Sequence, residues 1–112
     1  MKLPDKVKNQ IIEALKPLDP EKVILFGSYA YGEPTADSDI DLYIVTKDDF
    51  IPKSFKEKMN IKLKFIDAID QIRENFPVDL IIHTKKMYKK FVELNSMFSR
   101  EILNDGMKLY ES

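Results

Sequence analysis

Residues 23–45 read Val-Ile-Leu-Phe-Gly-Ser-Tyr-Ala-Tyr-Gly-Glu-Pro-Thr-Ala-Asp-Ser-Asp-Ile-Asp-Leu-Tyr-Ile-Val. Two short apolar runs, Val23 to Phe26 and Ile40 to Val45, flank a stretch of breakers, and runs of this kind predict strands buried on both faces. Ser28, Gly32, Pro34 and Ser38 between them allow one helical turn after Ser28 and then a loop. Gly27 at the end of the first strand, followed by Ser28 at a helical turn, lets backbone N–H groups and a hydroxyl approach phosphate oxygens. Asp39 and Asp41 are residues i and i+2 of the second strand, so both carboxylates point to one face about 6–7 Å apart. Such a pair suits Mg²⁺, which takes oxygen ligands while keeping its waters and substrate phosphates. For the cradle and the acids to meet, the end of the first strand must lie beside the start of the second. The two are therefore antiparallel if they share a sheet.

Upstream, Val7, Ile11, Ile12, Leu15 and Leu18 recur at helical spacing after Pro4, with Pro17 as a stop, which predicts a helix over 5–16. Downstream, Lys47 to Pro52 reads as a loop. Phe55, Met59, Leu63, Ile66, Ile69 and Ile72 form a stripe at steps of three and four, predicting one long helix over 54–75 that ends before Pro77. Val78 to Ile82 is a third strand carrying Asp79 near its start, and a last helix is expected over 87–103. Gly106 stands where a helix C-cap is expected, and Met107 to Tyr110 fits a short edge strand. The order αβαβαβα, with one more β, predicts an α/β fold: a mixed sheet of three to four strands flanked by helices. The long helix returns the chain as a right-handed crossover, making the third strand parallel to the second. Asp79 then joins Asp39 and Asp41 at one sheet end. A carboxylate inside an apolar strand is costly to bury without a charged partner. Three such groups repel one another without a cation, so a metal explains the cluster better than structure does.

Composition narrows the chemistry. The 112 residues fit one domain, and no apolar stretch reaches the roughly 18 to 20 residues a membrane span needs. The absence of Cys excludes disulfides, thiolate metal sites and a Cys nucleophile. With a charged opening segment lacking an apolar signal core, cytoplasmic is the default location. The net charge of −1 lacks the basic excess of a polynucleotide binder, so nucleic acid is an unfavoured partner. The Asp-x-Asp pair is weak alone: eleven Asp in 112 residues give about one by chance. Asp37 is read as a solvated loop acid. His83, the lone His, is read as structural. Lys85, Lys86, Lys89 and Lys90 are read either as a solvated helix face or as cations that help attract the triphosphate or an acidic partner.

In combination, Gly27-Ser28-Tyr29-Ala30, Ser38-Asp39-Ile40-Asp41-Leu42 and Val78-Asp79-Leu80 resemble the nucleotidyltransferase superfamily that includes DNA polymerase beta. The resemblance is closest to its minimal members, the antitoxin half of HEPN/MNT toxin–antitoxin pairs, and it covers nearly the whole chain. It implies that Asp39, Asp41 and Asp79 are catalytic and bind metal, two Mg²⁺ ions being expected, with Asp79 also the acceptor of the attacking hydroxyl's proton. It implies that Gly27 and Ser28 hold the triphosphate of an ATP donor, with Ser38 of the motif among the nucleotide-binding residues. Many relatives have Arg where this chain has Tyr31, and Tyr31 cannot replace that charge. The implied activity is transfer of AMP onto a hydroxyl of a HEPN-type partner protein. Two other functions fit the sequence: a small-molecule transferase whose acceptor pocket is built by homo-oligomerisation, and a partner-binding module without catalysis.

Overall fold

The computed structural model describes residues 3–112; Met1 and Lys2, part of the charged opening segment, lie outside the described residues. The elements are α1 (Asp5–Leu15), β1 (Lys22–Phe26), α2 (Ser28–Tyr31), β2 (Ile40–Val45), α3 (Phe55–Ala68), α4 (Asp70–Arg73), β3 (Val78–His83), α5 (Lys85–Leu94), α6 (Met97–Arg100) and β4 (Met107–Glu111). A 3₁₀ turn, Lys16–Leu18, follows α1, and a π-helical turn, Glu101–Asp105, follows α6. The four strands form one mixed sheet in the order β3-β2-β1-β4. β1 is antiparallel to β2, and β2 and β3 are parallel, as the sequence predicts; β4 lies antiparallel on the other side of β1.

Burial follows from the apolar pattern. Every β1 residue from Val23 to Phe26 is buried, as is β2 from Leu42 to Val45, because helices cover both faces of these central strands. On one face Val7, Ile11 and Leu15, at i, i+4 and i+8 of α1, pack with Phe65, Ile69 and Ile72 of the α3–α4 crossover. On the other, Ile24, Phe26, Tyr43 and Val45 pack with Tyr88, Phe91 and Ile102. Lys22 holds the outer strand β4 through Glu111 at 2.8 Å. Among the described residues no helix is long and apolar enough to cross a membrane.

Three local expectations need correction. The helix expected over 54–75 is broken at Ile69, which leaves helical geometry (φ −101°, ψ 16°) and shares its N–H between the carbonyls of Phe65 and Ile66, both at 3.3 Å. Ile69, at the break, and Ile72 beyond it are both buried in the core, and the stripe contains no Gly or Pro to mark it. Its start is as read: Ser54 Oγ accepts the Glu57 N–H, and Glu57 accepts the Lys53 N–H. The helix expected over 87–103 starts at Lys85, where Thr84 caps it, and stops at Asn95, which is left-handed (φ 49°). Ser96 then caps α6 by accepting the Ser99 N–H at 3.1 Å. Gly106 does end the π-helical turn, but in extended geometry (φ −67°, ψ 156°) rather than as a left-handed cap. A side chain there would collide with the Ile102 carbonyl and stand 2.6 Å from Ile24 Cγ2, so the position needs Gly for space.

Candidate active site at one sheet end

Register brings the predicted residues together. Phe26 lies opposite Asp41 across the antiparallel pair, and Asp41 lies opposite Asp79 across the parallel one. The end of β1 and the starts of β2 and β3 therefore share one sheet end, with Asp39 immediately before β2. Asp39, Asp41 and Asp79 are all odd-numbered along aligned strands, so their side chains leave the sheet on one side. Asp39 and Asp79 are exposed and Asp41 is half-buried. The anticipated burial of Asp79 is thus corrected: it stands at the rim, where its charge stays hydrated. None of the ion pairs among the described residues involves these three acids.

The cluster is electrostatically uncompensated. The Asp41 carboxyl is pushed up to about 6, first by loss of water around it and then by the negative charges of Asp79 and Asp39. Gly27 explains how Asp41 fits. It has φ 77° and ψ −158°, a conformation other residues rarely adopt, and a Cβ built there would collide with the Asp41 carboxylate. The sequence therefore needs Gly twice over at this position. Gly27 also starts α2: its carbonyl accepts the N–H groups of Ala30 at 3.0 Å and Tyr31 at 3.2 Å. The N–H groups of Ser28 and Tyr29, first in the turn, have no partner within it and are donors for an anion.

Ser38 is less direct. Its hydroxyl accepts the Thr35 N–H at 2.8 Å and its own N–H donates to the Thr35 carbonyl at 3.1 Å, which ties the 35–38 loop that delivers Asp39. Asp37 is exposed and donates its N–H to Thr35 Oγ1 within that loop. Tyr31 lies beside Glu101 and Asp105, and loss of water, then Glu101, raises its hydroxyl's pKa. His83 is at the opposite sheet end, paired with Val45, where Nδ1 and the Tyr43 hydroxyl are 2.7 Å apart. It belongs to an aromatic cluster with Tyr43 and Phe91. Two residues the sequence did not single out, Lys62 and Arg73, line a recess with Asp79. Their separation of eleven, three helical turns, was the one available signal, and many solvated lysines share such spacings.

Among the described residues no three acidic or imidazole side chains already close on one point as a finished metal cage. Mg²⁺ does not require one, since it binds through one or two carboxylates plus waters and substrate phosphates. The donor set of hard oxygens and its excess negative charge fit such an ion.

Comparison with known proteins gives the family. The family model described as polymerase beta, nucleotidyltransferase matches residues 9–112. The chain is 31% identical over 90 residues to the "Putative protein adenylyltransferase" of Methanocaldococcus jannaschii, covering 80% of this chain and 78% of that protein. Its fold matches a crystal structure of a toxin–antitoxin with AMP-PNP (TM-score 0.57, 22% identity, 94% of this chain and 73% of that one). It also matches a "putative nucleotidyltransferase" from Sulfolobus solfataricus (TM-score 0.57, 23% identity, 95% of this chain and 78% of that one). With a family model spanning β1 to β4 and a strand register that gathers the motif's acids over Gly27, the chain belongs to the polymerase beta nucleotidyltransferase family and is a nucleotidyltransferase.

Proposed function

We propose that the chain, acting as one minimal transferase domain over 1–112, transfers AMP from ATP to a hydroxyl of a partner protein. The observation that carries this is the gathering of Asp39, Asp41 and Asp79 at one sheet end against Gly27, with the free donors of α2 alongside. Gly27 and the Ser28 N–H and hydroxyl hold the triphosphate. Asp39, Asp41 and Asp79 would hold Mg²⁺, which would supply neutralisation of the triphosphate's negative charge. Ser38 contributes through the loop that positions Asp39. Asp79, exposed at the rim, accepts the proton of the acceptor hydroxyl. The hydroxyl oxygen forms a bond to the α-phosphorus as the α–β phosphoanhydride bond breaks, and pyrophosphate leaves.

Support for protein as the acceptor class comes from the relative named a protein adenylyltransferase and from the toxin–antitoxin fold neighbour crystallised with AMP-PNP. On that basis the partner is a HEPN-type toxin, which AMP attachment at a Tyr, Ser or Thr hydroxyl neutralises, in the cytoplasm where ATP is supplied. The test is intact mass spectrometry of the purified pair with ATP and Mg²⁺. The expected result is one or more adenylyl additions to the partner, lost with Asp39→Ala/Asp41→Ala; an unmodified partner that is nonetheless neutralised contradicts catalysis.

A further inference from the structure

The outer edge of β3 is unpaired. In the parallel ladder a residue's N–H and C=O point to the same side. Ile40 donates to the Pro77 carbonyl and Thr46 to the His83 carbonyl, both at 2.8 Å, so odd-numbered residues of β3 face β2. Val78, Leu80 and Ile82 therefore turn their backbone groups outward. Among the described residues no backbone hydrogen bond outside the regular elements engages Leu80 or Ile82.

A groove runs along that edge. One part, about 320 Å³, is lined by Pro52, Phe55, Lys58 and Met59 on one side and Met87 on the other, with Leu80 to His83 as its floor. A second recess of about 180 Å³ is lined by Lys62, Ile66, Arg73 and Asp79. Lys62 and Leu80 belong to both, so the two form one trough that ends at the proposed proton acceptor. Phe55 stands at its mouth 78% exposed, an aromatic with no burial of its own to explain it. Lys58, Lys62 and Arg73 give the walls three cations, none of which takes part in an ion pair among the described residues. Lys58 is near enough to His83 to help lower its pKa, although loss of water is the larger cause.

We infer that this trough is the docking site for the acceptor: an extended, acidic segment of the partner protein adds to β3 as a fifth strand and carries its hydroxyl to Asp79. The inference rests on the transferase reading for its chemistry. Pairing with Val78, Leu80 and Ile82 supplies main-chain hydrogen bonds without sequence preference, and the cations select acidic neighbours of the modified residue. The distance from Ile82 to Asp79 is about 10 Å at strand rise, which seats four to five residues. A second copy of this chain is a poor occupant, because lysines beside an edge repel the same lysines on a copy. Single-stranded nucleic acid would satisfy the cations but not the alternating N–H and C=O row.

Amide hydrogen exchange by NMR on the full chain tests this, with the peptide acetyl-Glu-Ile-Asp-Tyr-Glu-amide as probe and acetyl-Lys-Ile-Lys-Tyr-Lys-amide as control. The acidic peptide is expected to slow exchange at Leu80 and Ile82 at least about tenfold while leaving Asp79, Ile81 and His83 unchanged. Lys58→Glu, in the part of the trough away from Asp79, weakens that protection at least about threefold and keeps the ATP dissociation constant with Mg²⁺ within about threefold. Ile82→Pro removes an outward N–H together with a side chain that packs on the core, and weakens the peptide while the ladder to β2, made by the odd-numbered residues, is kept. No protection at Leu80 and Ile82, equal protection by the basic peptide, or displacement of the acidic peptide by a single-stranded oligonucleotide overturns the proposal. Failure of the wild type to bind ATP with Mg²⁺ instead overturns the transferase reading, while edge protection still establishes a peptide site.

Discussion

Replacing Asp41 with Asn should make the metal-free protein more stable and the enzyme inactive. The Asp41 carboxyl moves from 3.8 to about 6 on folding, so the folded state holds that proton more tightly than the unfolded chain does. The sign follows from linkage: the associated stability is fully present below pH 4, is lost as pH rises through 4 to 6, and is absent at pH 8. The shift sets a ceiling of roughly 3 kcal/mol. Asp41 keeps contact with solvent, and screening reduces the usable figure to roughly 1 kcal/mol. Asn has the same shape as the protonated acid, so at pH 8 in EDTA the variant should unfold about 1 kcal/mol harder, or roughly 4 °C higher. Urea and thermal unfolding of both proteins at pH 4.5 and pH 8 measure this, and the difference should be smaller at the lower pH, vanishing only below pH 4. Adding ATP and Mg²⁺ at 100 times the dissociation constant should reverse the order by stabilising only the wild type, by about 2.7 kcal/mol. A variant less stable than the wild type at pH 8 in EDTA would show that the carboxylate makes favourable native contacts, and the uncompensated cluster would be wrong.

Gly27→Ala meets both a positive φ and the Asp41 carboxylate, so it should cost about 2 kcal/mol or more of stability in urea melts and abolish ATP binding by calorimetry. Gly106→Ala should cost about 1–3 kcal/mol from collision with Ile24 and the Ile102 carbonyl. Gly106→Asn should be no better, whereas rescue by Asn in the same melts would restore the left-handed cap. Tyr43→Phe removes the 2.7 Å partner of His83 Nδ1 and should cost about 1–3 kcal/mol. Since the hydroxyl removed meets His83 at the far sheet end, the variant's ATP affinity should stay at the wild-type value.

The strands were legible because Val23 to Phe26 is a continuous apolar run, and Ile40 to Val45 and Val78 to Ile82 are apolar runs broken only by Asp41 and Asp79; their directions followed from what the acids and Gly27 must do together. Helix interruptions were not, since α3 breaks at Ile69, inside the core, and no local breaker marks it. Asn95-Ser96 did carry a signal, a left-handed cap followed by an N-cap, masked by the apolar periodicity on either side. Gly106 shows a different limit: a sequence pattern indicates that a side chain is excluded but not whether φ or a neighbour excludes it. The site's acids were readable from spacing and strand order. The trough was not, because Lys58, Lys62 and Arg73 reach the edge of β3 only through the crossover that carries them there.

The central claim is that Asp39, Asp41 and Asp79 form a metal-dependent nucleotide site over Gly27. Calorimetric titration of ATP into the wild type and Asp39→Ala/Asp41→Ala, each with and without Mg²⁺, tests it most directly. The prediction is binding by the wild type that requires Mg²⁺ and disappears in the variant; metal-independent binding, or binding that survives loss of both acids, would contradict the account.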